Sequence, residues 1–268
     1  MRRTAAAPGL ALAVAAALAS GCGGGGEERE SPRAAAPAAA APAPPSAAGP
    51  YQAVAAVADA GSVSGTITLA GPVPDLKPRE VTRDKEACGG DHKPNPSLVL
   101  GPGNTVADAL VTLVGVKSGK AFDAGAPLLD QKKCLFYPYV QVLPAGSELT
   151  LLNSDPVLHN VHAYDAANAT VFNVGTPLQG IKVPQKIAAA GLIRVKCDVH
   201  PWMTAFVYAA DTPYAAVTGK DGKFSLDKVP PGTYTLRVWH EVLGTKERSL
   251  TVPPNGAATA DVALSILG

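Results

Sequence analysis

An excess of charge of one sign is missing from this 268-residue chain: 23 Lys and Arg stand against 22 Asp and Glu, for a net charge of +1. With no basic stripe to follow a phosphate backbone, nucleic acid is excluded as a partner. Helical periodicity is scarce as well, while 27 Gly and 25 Pro punctuate short alternating runs, so the chain reads as all-β. No bilayer-spanning segment is expected at the N-terminus, because the apolar run 5–19 falls short of the ~20 residues such a helix needs. Methionine is nearly absent: if Met1 is lost with a leader, Met203 alone remains. Only four cysteines and five histidines are left for soft-metal or redox chemistry, so their placement matters.

What is present is concentrated in Cys197-Asp198-Val199-His200-Pro201-Trp202-Met203. Within seven residues the stretch offers a thiolate, an imidazole and a thioether, a set that suits copper and not calcium or magnesium. Leu192 to Lys196 alternates ahead of it as a strand, with Ile193, Val195 and Cys197 on one face, and Phe206 to Tyr208 begins another strand after it. A second imidazole comes from Asn153-Ser154-Asp155-Pro156-Val157-Leu158-His159-Asn160, which follows the strand-like run 148–152 and breaks at Asn-Ser-Asp-Pro. In extended chain from Val157, residues 157, 159 and 161 share one face. That alternation aims His159 at the core and His162 away from it. Two His, one Cys and a weak axial Met form the trigonal set of blue copper.

These residues carry a resemblance. The stretch from about 140 to 209 resembles the cupredoxins, and its short ligand loop is similar to the amicyanin type. His159-Asn160 resembles the His-Asn pair of plastocyanin-like members. The resemblance implies a Greek-key β-sandwich holding one type 1 copper on His159, Cys197, His200 and Met203. It implies that Asn160 ties the two ligand loops together near the thiolate. It also places His200 at the loop surface as an electron port framed by Pro201 and Trp202, although Trp202 has a second reading as packing over the loop. This chain departs from amicyanin in having Asp198-Val199 for Thr-Pro and Trp202 for Phe.

A rival zinc site would want four strong ligands, and Met is a poor one. Five histidines at these spacings do not supply the extra pairs that a second copper centre needs. Four protein ligands leave no open position for substrate, which argues for electron transfer and against an enzyme. The alternative class is a surface interaction or adhesion module with a structural copper, or a periplasmic copper carrier. His92, His162 and His240 are read as ordinary polar residues.

Met1-Arg2-Arg3, the apolar run and Leu18-Ala19-Ser20-Gly21-Cys22 resemble a bacterial lipoprotein leader. The expectation is cleavage before Cys22 and lipidation of its thiol, anchoring an exported chain to a membrane in the periplasm or at the cell surface. Gly23 stands where some bacteria use Asp to retain lipoproteins on the inner membrane, which points outward. With Cys22 lipidated, a Cys88–Cys134 bridge leaves Cys197 as the free thiolate. Partners are then the membrane, through the lipid, and unidentified redox proteins.

The expected layout is a signal peptide (1–21), an Ala/Pro/Gly-rich disordered tether (22–60), an N-terminal β segment (61–134), the copper domain (135–211) and a last β segment (212–268). That last segment has an Asp221-Gly222 hairpin signal and the strand-like run 229–239. It resembles the carboxypeptidase regulatory-like domain, a small transthyretin-like β-sandwich. Because 57 residues are short for a sandwich and Gly61 to Ile67 resembles that family's first strand, the N-terminal strands are candidates to complete it, with the copper domain inserted between the halves.

Overall fold

A computed structural model describes residues 50–123 and 125–266. The expected leader, the Cys22 lipidation site and most of the tether lie outside these residues. In chain order the elements are β1 (Gln52–Ala53), β2 (Gly61–Leu69), β3 (Arg79–Glu80), α1 (Lys85–Cys88), β4 (His92–Lys93), β5 (Leu110–Val114) and β6 (Ser118–Gly119). There follow β7 (Leu128–Lys132), β8 (Leu135–Tyr137), β9 (Val140–Pro144), β10 (Glu148–Asn153), β11 (His159–Tyr164), β12 (Thr170–Thr176), β13 (Lys182–Lys186), β14 (Gly191–Lys196) and β15 (Thr204–Ala210). The chain closes with β16 (Ala215–Val217), β17 (Lys223–Val229), β18 (Gly232–His240), β19 (Gly244–Val252), β20 (Ala257–Thr259) and β21 (Val262–Leu264).

The all-β expectation holds, and the strands form two sandwiches. One sandwich is continuous in sequence: the sheet β13-β10-β7-β8 faces the sheet β12-β11-β14-β15-β9. The other joins distant parts of the chain. Its sheet β16-β5-β18-β19 faces β17-β2-β20, with β21 also on β2. We call them the insert and the flanking sandwich, because the chain leaves the second after β5, builds the first, and returns at β16. The strand β7, N-terminal to residue 135, belongs to the insert. The residues before Gly61 are not all tether: β1 pairs with β6, and the Tyr51 hydroxyl donates to the Lys120 carbonyl at 2.6 Å. One aromatic anchor in an Ala-rich stretch was the only sequence trace of this.

Alternation explains which strands bury which face. In β2, Val63, Ile67 and Leu69 point into the flanking core while the residues between them are more exposed. Four of the five residues of β5 are apolar, and both of its faces are covered. Val111 and Leu113 enter the flanking core, whereas Leu110 packs with Val140, Leu192, Phe206 and Trp239 in a seam between the sandwiches. Each fully buried aliphatic side chain stabilises this arrangement by about 1.5–3 kcal/mol. The Asp221-Gly222 turn needs its glycine: Gly222 has φ +68°, and a Cβ there would meet the Ile67 carbonyl oxygen at 2.6 Å.

Candidate metal centre

The ligand loop joins β14 to β15, whose register ends at Lys196 opposite Thr204. The Met203 N–H donates to the His200 carbonyl at 2.9 Å, which draws the seven intervening residues into a tight bend. On the other side β14 pairs with β11 through His162 and Lys196. Carried on past Lys196, that antiparallel register brings Cys197 and Asp198 beside Val161 and Asn160. The Asn160 N–H reaches the Cys197 Sγ at 3.5 Å, the Asp198 N–H donates to the Asn160 Oδ1 at 2.6 Å, and the Asn160 Nδ2 donates to the Asp198 Oδ2 at 2.8 Å. Asn160 thus sews the two loops together.

His159, Cys197 and His200 converge, with one ligand atom from each lying within 4.8 Å of the others. The Cys197 Sγ is 4.0 Å from the Nδ1 of His159 and 3.8 Å from the Nδ1 of His200. These separations suit a shared ion. A first-row metal such as zinc, at about 2.3 Å from sulfur and about 2.0 Å from nitrogen with a trigonal angle, holds them about 3.7 Å apart. His159, His200 and Met203 have no exposed surface, and Cys197 has 1%. Met203 belongs to the same apolar cluster as Cys197 and Trp202.

Both rings are held from behind. The Nε2 of His159 lies 2.9 Å from the Oδ2 of Asp155, and the Nε2 of His200 lies 2.9 Å from the Oδ2 of Asp84. Asp155 is itself fixed, because its two oxygens accept the Lys133 and Cys134 N–H groups at 2.6 and 2.7 Å. Lys133 and Cys134 both have positive φ, 52° and 54°, as a two-residue hairpin turn between β7 and β8 demands. With each Nε2 engaged, each Nδ1 is left to face the thiol.

The charges follow from these contacts. Burial alone pushes the Cys197 thiol up, but hydrogen bonds from His159, His200 and the backbone of Asn160 and His200 outweigh it and bring the group down to about 6. Burial likewise works against a charged His159, yet Asp155 and the Cys197 thiolate leave it raised. Burial pushes the Asp155 carboxyl up, and the bonds from His159 and two backbone N–H groups bring it below its ordinary value. The result is a thiolate available near neutral pH beside two oriented imidazoles, a donor set that fits copper.

The surroundings of His200 differ from the expected surface port. Residues 79–97 lie over the loop, tied down by a Cys88–Cys134 disulfide and by Arg79, whose Nη1 donates to the Trp202 carbonyl and Nη2 to the Ser97 Oγ, each at 2.5 Å. His200 is therefore covered. Trp202, expected as part of a docking face, is 5% exposed; its indole N–H donates to the Cys134 carbonyl at 3.0 Å, and its ring meets His200 edge-on at 5.0 Å. Of the expected docking pair only Pro201 is exposed. A cover that comes from 116 residues upstream leaves no mark in the loop's own sequence.

His162 sits at the surface, its Nδ1 2.9 Å from the Asp198 Oδ2 and its ring stacked on Tyr164. His92 is exposed, and His240 is buried in the flanking sandwich. Asp84, Asp155 and Arg79 were not anticipated. Asp155, four residues before His159, carried a usable signal; the other two did not. Among the described residues no helix is long and apolar enough to cross a membrane.

Solved structures similar to part of this chain include a purple cupredoxin from Nitrosopumilus maritimus (22% identity, 31% of this chain and 99% of that one, TM-score 0.28). Others are amicyanin from Paracoccus versutus (18%, 37% and 97%, TM-score 0.29) and a copper-containing nitrite reductase from Thermus scotoductus (20%, 34% and 24%, TM-score 0.28). None of the curated proteins compared with the chain matches it. Residues 191–265 match the carboxypeptidase regulatory-like domain family, a stretch that runs from β14 of the insert through β21 of the flanking sandwich.

Proposed function

We propose that this chain is a membrane-tethered, extracytoplasmic electron-transfer protein with one type 1 copper, and not an enzyme. The observation that carries the reading is the convergence of two imidazole Nδ1 atoms on the buried Cys197 sulfur, each ring held by a carboxylate at its other nitrogen. His159, Cys197 and His200 would hold the metal, with Met203 as a weaker fourth donor. Bound copper supplies a one-electron couple between Cu(I) and Cu(II). The protein supplies a thiolate near neutral pH, keeps both rings from turning, and excludes water from the ligands. Burial of all four side chains supports electron transfer over substrate turnover. Lipidation of Cys22 would hold the chain at the membrane, where it meets redox proteins.

A second reading is favoured by the cover over His200, which is what a structural copper or a copper carrier would use. The two separate in one titration. Purified protein given Cu(II) is expected to develop an intense visible thiolate-to-copper band, bleached by a mild reductant and restored by an oxidant. A folded protein with reduced Cys197 and no such band overturns the copper site. A band that does not cycle, or copper lost at once to a chelator, overturns electron transfer in favour of the second reading.

A further inference from the structure

We propose that Asp84 is a positioning residue for His200, so that residues 79–97 form part of the copper centre. The inference rests on the copper reading above and goes beyond it, because nothing in the ligand loop's sequence names a partner for that ring.

Asp84 occupies the N-cap of α1, where an Asp side chain ordinarily accepts from the first turn of its own helix. It makes no such bond. Its backbone has φ 49° and ψ 37°, a left-handed conformation that Asp tolerates better than most residues. The carboxylate thus set free reaches out of its own helix to the Nε2 of His200 at 2.9 Å. The carboxylate is 37% exposed and the ring 0%, so Asp84 stands between His200 and water.

The segment that delivers it is anchored on both sides of Asp84. Ahead of it, Arg79 donates to the carbonyl of Trp202 in the ligand loop, and behind it Cys88 is bonded to Cys134. Both disulfide sulfurs lie within 4.8 Å of a ring nitrogen of His200. The Cys134 N–H in turn donates to Asp155, the carboxylate behind His159. One turn and one disulfide therefore connect the supports of both rings.

The physical consequence is twofold. A neutral imidazole that offers Nδ1 to a metal carries its proton on Nε2, and a buried N–H without an acceptor is costly. Asp84 is that acceptor, and so it sets which nitrogen faces Cys197. Its negative charge, added to that of Asp155, favours the more highly charged metal state. Loss of the charge is expected to weaken Cu(II) binding more than Cu(I) binding.

The test uses the full chain with Asp84→Asn, which keeps shape and removes charge, and Asp84→Ala, which also removes the bond. Chelator competition is expected to show Cu(II) held about 10-fold less tightly in Asp84→Asn and up to about 100-fold less in Asp84→Ala. If Cu(I) affinity is unchanged, the 10-fold loss appears as a midpoint potential raised by about 59 mV. Near-UV circular dichroism and a thiol assay verify that Asp84→Asn keeps its packing and its disulfide, so that it carries the test if Asp84→Ala does not fold. Wild-type affinities and potential in a folded Asp84→Asn would overturn the proposal while leaving the copper site intact. A wild-type protein with no thiolate-to-copper band would overturn the reading beneath it instead.

Discussion

His159 and His240 are both buried, one in each sandwich, and their surroundings differ in kind. Among the described residues the His240 ring has one hydrogen bond, accepting the Val242 N–H at its Nδ1 at 3.3 Å. Burial alone brings its pKa down to about 4, so it is a neutral core side chain. His159 has a carboxylate at Nε2 and a thiol at Nδ1, and its pKa is raised. The contrast extends to the two cores. Gln131, Asn153, Asp155, Asn160 and Thr176 are buried in the insert with the two convergent histidines, whereas the flanking sandwich buries Thr112, Thr218 and His240 among its aliphatic residues. A β-sandwich of this size packs without a buried polar network. A sandwich that carries one is holding side chains in place for something else.

The contrast can be broken most completely at Cys197. Cys197→Ser is expected to abolish the visible band on copper addition, and a spectrum that survives would remove this ligand set from consideration. Next in size is the staple. The Cys88–Cys134 bridge closes a separation of 46 residues, so Cys88→Ala with Cys134→Ala is expected to cost about 4 kcal/mol in denaturant unfolding on the chain-entropy account. The loss should fall on the insert and loosen copper binding with it. An insert as stable as before would mean that the cover is held by its other contacts.

His240 sharpens the comparison from the flanking side. Its folded pKa, about 4, lies below the ordinary 6.5, so the folded state resists protonation. The associated stability is fully present above pH 6.5 and is lost as the pH falls toward 4, by about 3 kcal/mol. His240→Phe should flatten that part of the unfolding-versus-pH curve without altering the copper spectrum; an unchanged acid limb would show that other groups govern it. The smallest effect is expected at exposed His92, where Ala should change stability by no more than about 0.5 kcal/mol and leave copper affinity as it was.

How much of this was legible depends on the distance over which each residue acts. The alternation of β2 and the largely apolar run of β5 are local patterns, and they locate strands because a strand's faces are written at spacings of two. Cys197, His200 and Met203 stand within one loop, and His159 was separated from His162 by alternation alone. Arg79 and Asp84 carry no such pattern. Thr82 to Glu86 carries no metal-ligand spacing, and what makes Asp84 notable is a ring 116 residues away. The exposed docking face was expected for the same reason: nothing near Trp202 in sequence announces the segment that covers it.

The insertion of one sandwich into the other has a consequence for the order of events as the chain is made. All the strands that pair with β2 lie beyond residue 222, and the Thr66 N–H waits for the Asp261 carboxylate, 195 residues later. Among the described residues the strands of the insert pair only with one another. A growing chain can therefore finish the histidine-bearing sandwich while β2 and β5 are still unpaired edges, and contacts of such long sequence separation form slowly. Chains that stop before β20 would keep that edge open as a template for aggregation. β20 and β21 act as the closing stitch of a garment whose first stitch was placed at Gly61.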